Sequence, residues 1–199
     1  MMKKTAIIFT SILLLFSGCD VFKQIGGAYQ LSQCEYTYHS VDDIQIAGIN
    51  IGDGSRLSLS NLASISTILA SSSKMQTIPL TLTLNMNIKN PNEAVAFLNS
   101  LDYAIEINDL EFTNGKIDIP LQINPGETQT MPIHMSTDLK QLMNRYSQEK
   151  VSEVVNSFFG ISAEKTQVKV NLWPKVLVGK TPIKSPAAIP VIFTFGGKS

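Results

Sequence analysis

Apolar and polar residues alternate without a break from Leu80 to Lys89, with Leu80, Leu82, Leu84, Met86 and Ile88 on one side and Thr81, Thr83, Asn85, Asn87 and Lys89 on the other. Successive side chains of a strand point to opposite faces. A period of two therefore predicts a strand with one buried and one wet face, as in an antiparallel sheet. The alternation returns at Leu101, Tyr103, Ile105 and Ile107, then at Ile117, Ile119, Leu121 and Ile123. Met131, Ile133 and Met135 repeat it, as do Val168, Val170 and Leu172, and finally Ile189, Val191, Phe193 and Phe195. Val41 to Ile51 predicts one strand or two short ones, punctuated by Gly48.

Two stretches change period. Leu59, Leu62, Ile65, Ile68 and Leu69 recur every three or four residues, which predicts an amphipathic helix capped by Ser58 or Ser60, or else a loop. Thr137 to Phe159 does the same in two registers, predicting one bent helix or two short ones that end at Gly160. Asn114-Gly115 predicts a hairpin turn and Asn124-Pro125-Gly126 a second turn. Pro120 and Pro132 mark edge or bulged strands, and Lys180 to Ala188 reads as a loop. About seven or eight strands with two helical insertions predict an all-β chain folded as one antiparallel β-sandwich.

The beginning of the chain has a different character. Lys3 and Lys4 precede an apolar run from Ile7 to Phe16, and Ser17-Gly18 is a small-residue exit. That layout predicts a secretory signal over residues 1–18, too short to span a bilayer. The exit Leu15-Phe16-Ser17-Gly18-Cys19 resembles a bacterial lipobox, although the residue three before the cysteine, usually Leu, is Phe16 here. The resemblance implies cleavage between Gly18 and Cys19 and lipidation of Cys19, by a diacylglyceryl group and an acyl chain such as palmitate. The mature chain becomes a periplasmic or outer-membrane-associated lipoprotein whose partner is the membrane. The alternative is an ordinary signal peptide with a buried or paired Cys19, for which Cys34 is the candidate disulfide partner. Residues 19–34, with their Gly-Gly pair, read as the lipidated cysteine and a tether, and residues 35–199 as the domain.

Charge and chemistry narrow the function further. Basic and acidic residues number 16 each, without a basic stripe, which argues against nucleic acid as a partner. The two histidines, His39 and His134, have no companion at metal-ligand spacing, so no metal, cofactor or catalytic residue is expected. Asp102, Glu106, Asp109 and Glu111 fall on a wet face or in a hairpin. Trp173 is read as core, with a ligand platform as the alternative. The helix at 139–158 covers a sheet or offers a face to an envelope protein partner.

The strand ending in Asn90-Pro91-Asn92, followed by Leu101, Tyr103 and Ile105, by Gly115, by Ile119-Pro120 and finally by Ile189-Pro190, is similar to the late embryogenesis abundant type 2 family. That family is also known by its water stress and hypersensitive response domain. The closer likeness is to lipoprotein members from Bacteroidetes-like bacteria, over about Asp43 to Gly196. The resemblance implies an immunoglobulin- or fibronectin type III-like sandwich without enzymatic activity and with a link to desiccation stress. Asn90, Pro91 and Asn92 then have an architectural role, at the point where the chain leaves one sheet and crosses to the other.

Overall fold

The alternating positions become the floor of the core. In the computed structural model, which describes residues 21–54, 57–178 and 180–195, Leu80, Leu82, Leu84, Met86 and Ile88 are all buried. A described helix, α1, covers residues 21–32. Next come β1 (Glu35–Ile46), β2 (Ile49–Gly52), α2 (Leu59–Ala70) and β3 (Pro79–Lys89). The short β4 (Ala96–Leu98) precedes the hairpin β5 (Ser100–Ile107) and β6 (Leu110–Ile117), and β7 (Leu121–Ile123) and β8 (Thr128–Asp138) follow. Two helices, α3 (Leu139–Tyr146) and α4 (Gln148–Phe158), lead into β9 (Thr166–Val178), β10 (Thr181–Lys184) and β11 (Ile189–Phe195).

One sheet runs β2-β1-β3-β8 and the other β6-β5-β9, with β10 and β11 end to end along the far side of β9. All pairings are antiparallel. The two sheets face each other across one core, as the sequence predicts for a sandwich with helical insertions. Between them β4 and β7 form a separate two-stranded ribbon, where the chain crosses after Asn90-Pro91-Asn92. Pro132 lies in β8, an edge strand, where a missing N–H is tolerated.

The helices form where caps and packing allow. Ser58 accepts from Asn61 N and caps α2, whose Ile65, Ile68 and Leu69 enter the core. Asp138 Oδ1 accepts from Lys140 N (2.9 Å) and from Ile78 N (2.9 Å), so it caps α3 and ties it to the start of β3. Ser147, at φ 132°, separates α3 from α4, and the two registers at Thr137–Phe159 are therefore two helices. Gly160, at φ 70°, ends the second.

Four expectations need correction. The hairpin turn is at Asn108-Asp109, both left-handed (φ 46° and 64°), and not at Asn114-Gly115, which lies inside β6. Asn and Asp tolerate that region, so the turn forms at a pair whose local signal is weaker than that of Asn114-Gly115. Gly115 serves another purpose: it faces Tyr103, and a Cβ there would sit 2.6 Å from the Tyr103 hydroxyl. That hydroxyl donates to His134 O at 2.7 Å and links the two sheets. Second, the prolines at 182 and 186 do not prevent β10, an edge strand along β9. Third, the described chain holds eleven strands rather than seven or eight, because β2, β4, β7 and β10 have only three or four residues. Fourth, β9 continues through Trp173-Pro174, and Trp173 pairs with Asp102 on the outer face, half-buried and outside the core.

Gly115→Ala is expected to lower stability by about 1–3 kcal/mol through overpacking. In a Tyr103→Leu background the same change should cost much less, since the neighbour it strikes is gone. Urea midpoints of the four chains test this.

Candidate functional site: a helix docked on the Asn-Pro-Asn junction

Strand direction gives the sandwich two ends. Glu35 pairs with Lys89 at one end, and Ile46 with Leu80 at the other. Helices α3 and α4 sit at the second end, where the Tyr146 hydroxyl meets Glu111 N (3.3 Å) and Arg145 meets the Glu111 carboxylate (2.9 Å) beside the β5–β6 turn. The first end carries α1, the β4–β7 ribbon and the Asn-Pro-Asn motif.

At this end the segment expected to be a tether is instead a helix, folded onto the domain. The buried or half-buried positions of α1 are Val21, Gln24, Gly27, Ala28, Gln30 and Leu31, along one helical face. That face is small and partly polar, so no apolar stripe announces it. Gly27 allows close approach, because a Cβ would lie 2.7 Å from the Phe97 Cβ. Leu31 is 1% exposed and belongs to the core. Gln24 Oε1 accepts from Leu177 N (2.7 Å) and from Asn99 Nδ2 (2.6 Å). The Tyr36 hydroxyl donates to Leu31 O at 2.8 Å, beside the Cys34 N–H that the same carbonyl accepts at 3.2 Å.

Asn90 organises the junction. It is fully buried, and its amide spends every bond. Nδ2 donates to Ala94 O (2.9 Å) and Ile123 O (2.8 Å). Oδ1 accepts from Asn92 N (3.0 Å) and Asn92 Nδ2 (2.7 Å). Its backbone pairs with the Asn124–Glu127 turn, through Asn90 N to Glu127 O (2.9 Å) and Gly126 N to Asn90 O (2.8 Å). Pro91 has no N–H and keeps Asn90 out of the helical region, so β3 stops there. Asn92 Nδ2 reaches on to Gln30 O at 3.0 Å. One motif thus joins β3, the crossing ribbon and the last turn of α1. Gln24 and Leu31 complete the joint, and the only sequence trace of them is the 21, 24, 28, 31 spacing.

Two clefts flank α1. One of about 670 Å³, between the helix and the ribbon, is lined by Lys23, Gly27, Val95, Phe97 and Leu177. The other, of about 420 Å³, lies towards β10 and is lined by Ile25, Tyr29, Pro174, Ile183 and Pro186. On the nearby outer sheet face Asp102 pairs with Lys175 and, at 3.3 Å, with Lys184. Burial raises the Asp102 pKa, but the two ammonium groups together outweigh it and hold the carboxyl below its ordinary value. Lys184 also lies 4.3 Å from the centre of the Trp173 ring. These charges are satisfied within the sheet.

Cys34 follows α1 and is buried. Burial pushes its thiol up to about 11. At neutral pH the folded chain is expected to react with a thiol–disulfide reagent about a hundredfold more slowly than the urea-unfolded chain, since the thiolate is the nucleophile. Fast labelling of Cys34 in the folded state would contradict its placement.

His134 is exposed, with Nδ1 3.0 Å from Thr83 Oγ1, and His39 is exposed, with Nδ1 3.4 Å from Asn87 Nδ2. Among the described residues no three His, Cys, Asp or Glu side chains group to hold a metal, and no helix is long and apolar enough to cross a membrane. Gly18 and Cys19 lie outside the described residues.

No curated protein matches the chain. Two solved structures resemble it loosely. One is a crystal structure of a protein from Archaeoglobus fulgidus, 16% identical over 63% of this chain and 90% of that one, with a TM-score of 0.33. The other is a solution structure of a protein from Arabidopsis thaliana, 10% identical over 82% and 83%, with a TM-score of 0.38. The family model described as late embryogenesis abundant protein matches residues 85–186, just over half of the chain, from the end of β3 through β10. The chain therefore belongs to the late embryogenesis abundant type 2 family.

Proposed function

We propose that this protein is a lipid-anchored cell-envelope domain of a bacterium, which binds or protects other envelope components under water stress. Family membership supports a non-enzymatic, stress-related domain. The observation that carries the anchor is the run Leu15-Phe16-Ser17-Gly18-Cys19, standing directly before a helix that is docked on the sandwich. The Cys19 thiol loses its proton and displaces the headgroup phosphate of a membrane phospholipid, forming a thioether to its diacylglyceryl group. Hydrolysis of the Gly18–Cys19 peptide bond then releases residues 1–18 and frees the Cys19 amine, which takes an acyl chain from a second lipid ester. A single myristoyl chain binds membranes only marginally, and each buried methylene adds about 0.8 kcal/mol, so two or three chains hold the domain permanently. Because α1 is part of the fold, only residues 19 and 20 stand between the lipid and the described helix.

Fractionation of the native host tests the anchor. The chain should stay with membranes through high-salt and alkaline washes, and Cys19→Ala should move it to the soluble fraction. A wild-type chain in the soluble fraction would overturn the reading. A second reading, an interaction subunit of an envelope assembly, draws on two exposed apolar residues away from α1: Leu59 (86% exposed) on α2 and Ile49 (46%) on the edge strand β2. An added partner strand along β2 would extend the first sheet. Crosslinking from Ile49→Cys in intact cells would capture that partner.

A further inference from the structure

Helix α1 is apolar on the wrong side. Its buried face is Val21, Gln24, Gly27, Ala28, Gln30 and Leu31, whereas its large side chains point outward: Phe22 is 76% exposed, Ile25 52% and Tyr29 62%. Those three are spaced by three and four residues and so form one stripe. The stripe is held rigidly, because Gln24, Asn92 and Tyr36 bond the helix to the domain. Ile183, 51% exposed, borders the same cleft as Ile25 and Tyr29, and Val95, 39% exposed, borders the cleft on the other side. A contiguous exposed apolar patch marks a surface that something covers.

Reach and charge identify the cover. Three residues of chain span at most about 10 Å, so the lipid on Cys19 lies within that distance of Phe22. The helix contains Lys23 and no acidic residue, and residues 175–188 contain Lys175, Lys180 and Lys184 and no acidic residue. Asp102 offsets part of that charge at Lys175 and Lys184, and Asp20 directly precedes the helix, so four lysines against two aspartates leave a small basic excess for anionic headgroups. We infer that α1 lies flat on the bilayer surface with Phe22, Ile25 and Tyr29 at the boundary of headgroups and acyl chains. This fixes the orientation of the domain: the Asn-Pro-Asn end faces the membrane, and α3 and α4 face away from it. The inference rests on the lipid-anchor reading for its geometry.

The test uses the mature lipoprotein, purified from its own membranes and reconstituted in vesicles of phosphatidylethanolamine and phosphatidylglycerol. An environment-sensitive fluorophore is attached at Ile25→Cys or at Asn144→Cys, an exposed position on α3; buried Cys34 stays unlabelled. Lipids carrying a spin label just below the headgroup should quench the probe at 25 at least fivefold more than the probe at 144. Phe22→Ser combined with Tyr29→Ser, which leave the buried face of α1 intact, should remove that difference. Equal quenching at 25 and 144 on a chain whose mass shows lipid at Cys19 overturns the inference and leaves the anchor standing. A probe at 25 that still enters the bilayer on a chain without lipid sinks the anchor and keeps the helix face. A probe shielded in native membranes but wet in vesicles overturns the inference in favour of a protein cover.

Discussion

Asn90→Ala is expected to destabilise the protein by about 3–5 kcal/mol. Asn90 is fully buried, and its amide serves four partners: Ala94 O, Ile123 O and both nitrogens of Asn92. Alanine removes all four bonds, and each buried polar group left unpaired costs about 1–3 kcal/mol. Some partners regain water, because Asn92 and Ala94 are not fully buried, which keeps the sum below its maximum. Asn90→Asp should be at least as severe at neutral pH. It keeps the shape but turns a carboxylate oxygen towards two carbonyl oxygens. Urea unfolding reads both as a lower midpoint with an unchanged slope. A loss under 1 kcal/mol for Asn90→Ala would mean that the side chain does not hold the junction.

The second large effect is expected from Leu31→Asp. Leu31 lies in the core, and a carboxylate there has no partner. Burying it unpaired costs more than 3 kcal/mol, so the chain has a cheaper route. It releases α1, whose other contacts are the hydrogen bonds of Gln24 with Leu177 and Asn99, of Asn92 with Gln30 and of Tyr36 with the Leu31 carbonyl, and the close approach of Gly27 to Phe97. The observed loss is therefore capped near the free energy that docks the helix. Hydrogen exchange should rise at least tenfold across residues 21–32 and stay slow in β3 and β5. Uniform acceleration across both sheets would show instead that α1 and the sandwich unfold together.

These two side chains also mark the limits of what the sequence reveals. Asn90 was visible because Asn-Pro-Asn interrupts the clearest period-two run in the chain, and a proline must end a ladder there. Leu31 was hidden because its helix buries Gln24, Gly27 and Ala28 beside it. Helical periodicity is recognised by large apolar residues, and α1 turns its large ones outward. The misplaced hairpin has a related cause. Asn114-Gly115 and Asn108-Asp109 are both good turn pairs, and Tyr103 decides between them by filling the space above Gly115. That contact joins residues on different strands, which local propensity does not contain. Trp173 was read as core because a tryptophan in a sandwich more often is, although the strict alternation of β9 places it opposite Leu172 and Pro174, on the outer face. The main strands were legible, since each depends on neighbours within a few residues, whereas the cap of α2 was narrowed only to Ser58 or Ser60 and the stretch 137–159 only to one bent helix or two short ones.

The lipid anchor remains the central claim, and intact mass tests it most directly. The protein is purified from its own membranes beside Cys19→Ala. The wild-type chain is expected to begin at Cys19 and to be heavier than its polypeptide by a diacylglyceryl group and an acyl chain, with both additions absent from the variant. An unmodified wild-type chain cleaved at another bond would contradict it.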